Sequence, residues 1–155
     1  MKKIIFILTM MSTFTFSNDI RNSIVELKGT VSSGYDFYIK NAVSINELTV
    51  YRKFEEKKIN TIFNVGGGLD ISYYYGIAFA FRPYIATEIG GYVSTNTKLY
   101  TDLKLGLGLA TDFNDIKPFS KVGVGFGVLY KHVSVEIGYN FPGAITLGFG
   151  TRLGF

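Results

Sequence analysis

From Val25 to Phe155 apolar and polar residues alternate with a period of two, the signature of strands with one apolar and one polar face. "VELKGTVSSGY" sets Val25, Leu27, Val31 and Tyr35 against Glu26, Lys28, Thr30 and Ser32. "FNVGGGLDISY" sets Phe63, Val65, Leu69, Ile71 and Tyr73 against Asn64, Gly66, Gly68, Asp70 and Ser72. In "YIATEIGGYV" Ile85, Ile89 and Val93 oppose Ala86, Glu88 and Gly90. "LYTDLKLGLGLATDF" places Leu99, Leu103, Leu105, Leu107 and Leu109 opposite Tyr100, Asp102, Lys104, Gly106 and Gly108. "KVGVGFGVLY", "HVSVEIGYNF" and "AITLGFGTRLGF" continue in the same way, and helical spacing does not recur.

One segment breaks the pattern. In "AVSINELTVYRKF" the phase set by Val43 and Ile45 conflicts with that of Leu48 and Val50. A bulge near Asn46 or Glu47 reconciles them, since one extra residue reverses every later face. Turn signals fall at "FEEKKIN", "FAFRP", "STNTK", "FNDIKP", "YKH" and "NFPG". The expectation is an all-β, closed, antiparallel up-and-down transmembrane barrel of eight strands, each about ten residues long. A ten-stranded alternative needs shorter strands and a different reading of "SYYYGIAFAF".

Alternation leaves open which face is inside. A secreted soluble barrel holding an apolar ligand turns its apolar face inward. Three features favour the inverse. The polar face carries glycines beside isolated charges, which suits a narrow lumen better than a soluble surface. The apolar face is nearly free of charge. Aromatic residues gather near strand ends, at Tyr35, Phe37 and Tyr38, at Tyr73 to Tyr75, at Phe79, Phe81 and Tyr84, and at Tyr139 and Phe141, as in the interfacial girdles of membrane barrels.

The first residues read differently. In "MKKIIFILTMMSTFTFSNDI" two lysines precede an apolar run from Ile4 to Met11, and Thr15 and Ser17 stand at −3 and −1 of a cut before Asn18. This is the layout of a secretory signal, too short in its apolar part to span a bilayer. The expected organisation is therefore a signal peptide at 1–17 and a barrel domain at 18–155. Lys2 and Lys3 belong to that leader, so the net charge of +4 falls to +2, with 14 basic and 12 acidic residues left. So small an excess gives no case for nucleic acid. With no cysteine in 155 residues, disulfides and thiolate chemistry are excluded.

Two further stretches carry a family likeness. "RPYIATEIGGYV" resembles a strand found in many small outer-membrane barrels, and the final strand, with Phe149, Leu153 and Phe155 in its apolar row, resembles the assembly signal of bacterial outer-membrane proteins. With the leader, these make the chain similar to the small OmpA/OmpX/OmpW-like porin family over nearly its whole mature length. Thr151 departs mildly from the terminal pattern, and long loops are missing. The resemblance implies an outer-membrane location and partners limited to outer-membrane lipids, periplasmic chaperones and the barrel assembly machinery. It implies a monomer.

Candidate chemistry is sparse. Glu26, Asp70, Glu88, Asp102 and Glu136 share the inward face with Lys28, Lys104, Lys121 and Arg152. Unpaired charges in so confined a space are costly, so these nine should pair and fill the lumen, leaving at most a narrow ion path. "HVSVE" offers His132, Ser134 and Glu136, which invites comparison with outer-membrane lipid A deacylases built on a His-x-Ser pair and a glutamate. The asparagine that follows the serine in that family is Val135 here, no acidic residue follows Glu136, and alternate strand positions lie about 6.5–7 Å apart. A hydrogen-bonded row in the lumen accounts for the three more simply. The glycines of "GVGFGV" have strand spacing with no helix after them, against a dinucleotide site. No metal-ligand spacing occurs. The sequence thus points to a non-enzymatic outer-membrane barrel without cofactor, in a structural or surface-interaction role.

Overall fold

In the computed structural model, which describes residues 20–56, 61–75, 78–112 and 114–155, eight antiparallel strands close into a barrel in sequence order. They are β1 (Val25–Asp36), β2 (Asn41–Glu56), β3 (Thr61–Tyr74), β4 (Ala78–Tyr92), β5 (Thr97–Thr111), β6 (Ile116–Tyr130), β7 (Val133–Phe141) and β8 (Ala144–Gly154). A single 3-10 turn, Ile20–Asn22, precedes β1. The leader expected at 1–17 lies outside the described residues. Among those described, no helix is long and apolar enough to cross a membrane.

Pairing β8 with β1 leaves no free edge. Following paired residues once around the barrel leads from Val25 through Arg52, Val65, Thr87, Leu103, Val124, Tyr139 and Ile145 to Tyr35. The circuit ends 35 − 25 = 10 residues from its start. This stagger tilts the strands and sets a bore that side chains can fill.

The alternation read from the sequence becomes an inside and an outside. Leu99, Leu103, Leu105, Leu107 and Leu109 are exposed on the outer wall, and Tyr100, Asp102 and Lys104 are buried. A soluble barrel with its leucines inside is therefore not the arrangement formed. The outward rows of neighbouring strands, such as Val122, Val124, Phe126 and Val128 on β6, join into one apolar belt. Tyr35, Phe37, Tyr73, Tyr75, Phe79, Phe81 and Phe141 ring one end of it. Tyr74 and Tyr84, grouped with these aromatics from sequence, instead point inward and are buried.

Three local expectations need correction. The pairing of β2 with both neighbours runs unbroken, so there is no bulge at Asn46 or Glu47. Val43 and Ile45 share the inward face with Glu47, Thr49 and Tyr51, while Leu48 and Val50 face out. The phase conflict arose because the lumen itself turns apolar at that end. "FAFRP" is not a turn either. It lies inside β4, where Pro83 points outward and merely interrupts the pairing with β5, having no N–H to give. Strands run from 9 to 16 residues rather than a uniform ten.

The connections among the described residues are short. After β1, Asp36 Oδ1 accepts the backbone N–H groups of Tyr38 and Ile39 at 2.9 Å, and Lys40 takes a φ of 58° to turn the chain back. After β5, Asp112 Oδ1 accepts from Asn114 at 3.1 Å and Asp115 at 2.9 Å. These two backbone N–H groups hold the Asp112 carboxyl below its ordinary range. Lys131 (φ 52°) and His132 form the turn between β6 and β7.

Candidate functional site: a lumen of ion pairs

The nine charged residues singled out on the inward face all point into the lumen, and each makes an ion pair there. Three more join them: Glu47, Arg82 and Lys98. Among the described residues the lumen pairs thus comprise six carboxylates and six cations, in two groups.

The first group lies toward the end where β1 begins. Arg152 holds Glu88 in a fork, with Nη1 donating to Oε1 at 2.9 Å and Nη2 to Oε2 at 2.5 Å, and Nη1 also reaches Glu26 at 3.1 Å. Lys98 donates to Glu88 at 2.8 Å and Asn64 Nδ2 donates to it at 3.1 Å. Two carboxylates meet two cations, so the group is neutral.

The second group fills the middle and far part. Lys28 bridges Asp102, at 2.8 Å, and Glu136. Lys104 reaches Glu47 at 2.7 Å, Glu136 at 3.1 Å and Asp102 at 3.3 Å. Lys121 joins Glu47, at 2.5 Å, to Asp70. Arg82 Nη2 donates to both Asp70 oxygens at 3.1 Å and to Ser72 Oγ at 2.6 Å. Four carboxylates meet four cations, again neutral. Balance matters because a buried charge left without its partner costs several kcal/mol.

Space for several of these side chains comes from glycines on the adjacent strand β6. A methyl group added to Gly125 would strike the carboxylates of Asp102 and Glu136, and one added to Gly127 would strike the Tyr100 ring. The glycines of β6 therefore leave the room that Tyr100, Asp102 and Glu136 fill.

Each end of the lumen carries an apolar cluster. At one, Val43, Ile45, Tyr74 and Ala144 form a cluster, with Ile39, Ala78 and Phe119 packed against it. At the other, Ile20 (3% exposed) packs with Tyr100 and Leu129. Lys53 fastens that plug, its Nζ donating to the Ile20 carbonyl at 2.9 Å and the Arg21 carbonyl at 2.5 Å. Beside the second group a partly open pocket of about 10 Å³, lined by Ser32, Glu47, Lys104, Glu136, Asn140 and Thr146 among others, has room for about one water.

His132, Ser134 and Glu136 do not form a relay. His132 is in the turn before β7 rather than on its inward row, and its Nδ1 lies 3.2 Å from the Arg152 carbonyl oxygen. Ser134 Oγ is buried and has no hydrogen-bond partner among the described residues. The Glu136 carboxylate is taken up by Lys28, Lys104 and the Tyr100 hydroxyl. Among the described residues, no group of three His, Cys, Asp or Glu side chains is placed to hold a metal ion.

The missed residues differ in how visible they were. Glu47 was hidden by the assumed bulge. Arg82 was hidden by its place beside Pro83 in an assumed turn. Lys98 was assigned to the turn "STNTK", although it sits two places before Tyr100 on the inward row of β5.

No family model matches the chain, and no curated protein matches it. Solved structures do. The outer membrane enzyme PagL superposes with a TM-score of 0.66 at 8% identity, over 80% of this chain and 98% of that one. The N-terminal β-barrel domain of Pseudomonas aeruginosa OprF superposes with a TM-score of 0.61 at 12% identity, over 84% and 96%. One of these is an enzyme and identity is low in both, so the likeness establishes a fold and no activity: this chain has the eight-stranded barrel fold of outer-membrane proteins.

Proposed function

We propose that this protein is an integral barrel of the bacterial outer membrane with a structural or surface-interaction role, neither a catalyst nor an open channel. The observation that carries this reading is the inverted distribution of residue types. A belt of Leu, Val, Ile and Phe faces outward, while twelve ion-paired charges lie inside, with an apolar cluster at each end. Water would penalise such an exterior, whereas hydrocarbon favours it. The filled lumen argues against passage of sugars or nucleotides.

In the same reading residues 1–17 are removed on export, and Phe149, Leu153 and Phe155 on the outer side of β8 serve as the signal read by the assembly machinery. The test is to express the chain with its leader, isolate outer membranes and follow heat-modifiable mobility on a gel. Folded protein in that fraction is expected for wild type, and much less for Phe155→Asp. Wild-type protein that stays soluble and monomeric without detergent would overturn the proposal.

A further inference from the structure

Single polar residues such as Thr87, Thr101, Ser120 and Thr151 dot the outer wall, and three others lie together on β1 and β2. Ser33 and Ser44 are paired residues on the outer faces of β1 and β2, and Asn46, paired with Val31, lies two places along β2 from Ser44. Ser33 and Asn46 are exposed, Ser44 partly so. Asn46 also pairs with Ile71 of β3, while Ser44 pairs with Tyr73 of the aromatic ring. The amide therefore lies one outward position deeper than that ring, about 7 Å along the strand, level with apolar side chains.

These groups are poorly satisfied. Asn46 Nδ2 reaches the Ile71 carbonyl at 3.5 Å, the outer limit of a hydrogen bond, and neither Asn46 Oδ1 nor the two serine hydroxyls have a partner among the described residues. Hydrocarbon offers none, and polar side chains in that medium associate across protein surfaces.

From this we infer that the β1–β2 wall is the contact surface of a homodimer within the membrane, two copies meeting with Asn46 against Asn46. A side-chain amide is both donor and acceptor, so two related by a two-fold axis satisfy each other with a pair of hydrogen bonds. Gly29, Ser33 and Ser44 are small and keep this stretch of wall low, so the two barrels can approach closely. Val31 and Leu48 supply apolar contact around the amides. The inference rests on the membrane location proposed above and replaces the monomer expected from sequence.

The chain has no cysteine, which makes crosslinking clean. Ser44→Cys, Ser33→Cys and, on the far wall, Val124→Cys, all of which keep the Asn46 amide, are each refolded into phosphatidylcholine vesicles and mildly oxidised. Disulfide-linked dimer is read on a gel, with heat-modifiable mobility of the same sample reporting insertion. Dimer is expected several-fold more with Ser44→Cys and Ser33→Cys than with Val124→Cys, and adding Asn46→Leu to Ser33→Cys should reduce it several-fold. Equal yields at the three positions, or no dimer from inserted Ser33→Cys protein, would overturn the inference, including the case in which a different membrane protein covers the patch. Failure of every variant and of wild type to insert would instead overturn the membrane reading on which it stands.

Discussion

Arg152 lies over the ring of Tyr100, its guanidinium carbon 4.3 Å from the ring centroid, and Lys28 Nζ approaches the same ring at 4.7 Å. Each cation belongs to a different neutral group of lumen pairs, so Tyr100 joins the two. Its hydroxyl also donates to Glu136 at 3.1 Å. Tyr100→Phe keeps the ring and removes the hydroxyl, leaving Glu136 one donor short. Such a bond to a charged group is worth about 1.5–3 kcal/mol. Urea titration of the barrel in lipid vesicles should show a loss of that size, and an unchanged midpoint would mean that the hydroxyl does not join the groups.

The two faces should respond oppositely to new polar groups. Leu105→Arg sets a charge on the outer wall near the middle of β5, where it should cost about 2–4 kcal/mol. Gly123→Ser, on the inner wall, meets only the Asn140 side chain, whose amide can shift. Gly106→Ser is a poorer probe of the lumen, since its new Cβ would run into the Pro83 carbonyl. If Gly123→Ser lowered refolding yield in vesicles more than Leu105→Arg, the facing of the wall would have to be reconsidered.

Sealing at the ends can be read by reagent access. Ser134→Cys puts a thiol at a buried lumen position, and in the intact barrel it should resist a water-soluble maleimide. Trimming the far cluster with Val43→Gly and Ile45→Gly, or the near plug with Ile20→Gly, should speed labelling in folded protein. Rapid labelling of Ser134→Cys alone would show that water already passes the ends.

His132 and Ser134 provide the test of catalysis. If they are only turn and lumen residues, His132→Ala and Ser134→Ala should leave the lipid A acyl pattern of expressing cells as it is with wild type. Mass spectra of extracted lipid A check this. Loss of an acyl chain with wild type, reversed by either alanine, would establish "HVSVE" as an active site.

How much could be read from the sequence depended on whether a face changed character along a strand. On β5 every outward residue from Leu99 to Leu109, Thr101 apart, is a leucine, and both facing and depth followed directly. On β2 the inward row passes from Val43 and Ile45 to Glu47 and Thr49, so inside did not mean polar, and Glu47 was lost to an imagined bulge. Pro83 misled in the same way, because a proline that faces outward need not end its strand. His132 could be placed on a row by counting, but not against the turn made by Lys131. The partners of each charge were beyond reach, since they depend on the ten-residue stagger and not on any one strand.

That stagger has a consequence for assembly. Arg152 on β8 pairs with Glu88 on β4, and Lys28 on β1 with Glu136 on β7, so these links join segments 64 and 108 residues apart. A half-built sheet inserted in lipid would carry cations whose carboxylates had not yet arrived, at a cost the membrane cannot relieve. Closing such contacts is slow, because distant segments must meet before anything is gained. The strands should therefore cross the bilayer together, with the charges neutralised in step with β8 meeting β1, and a stalled intermediate should remain at the membrane surface instead of within it.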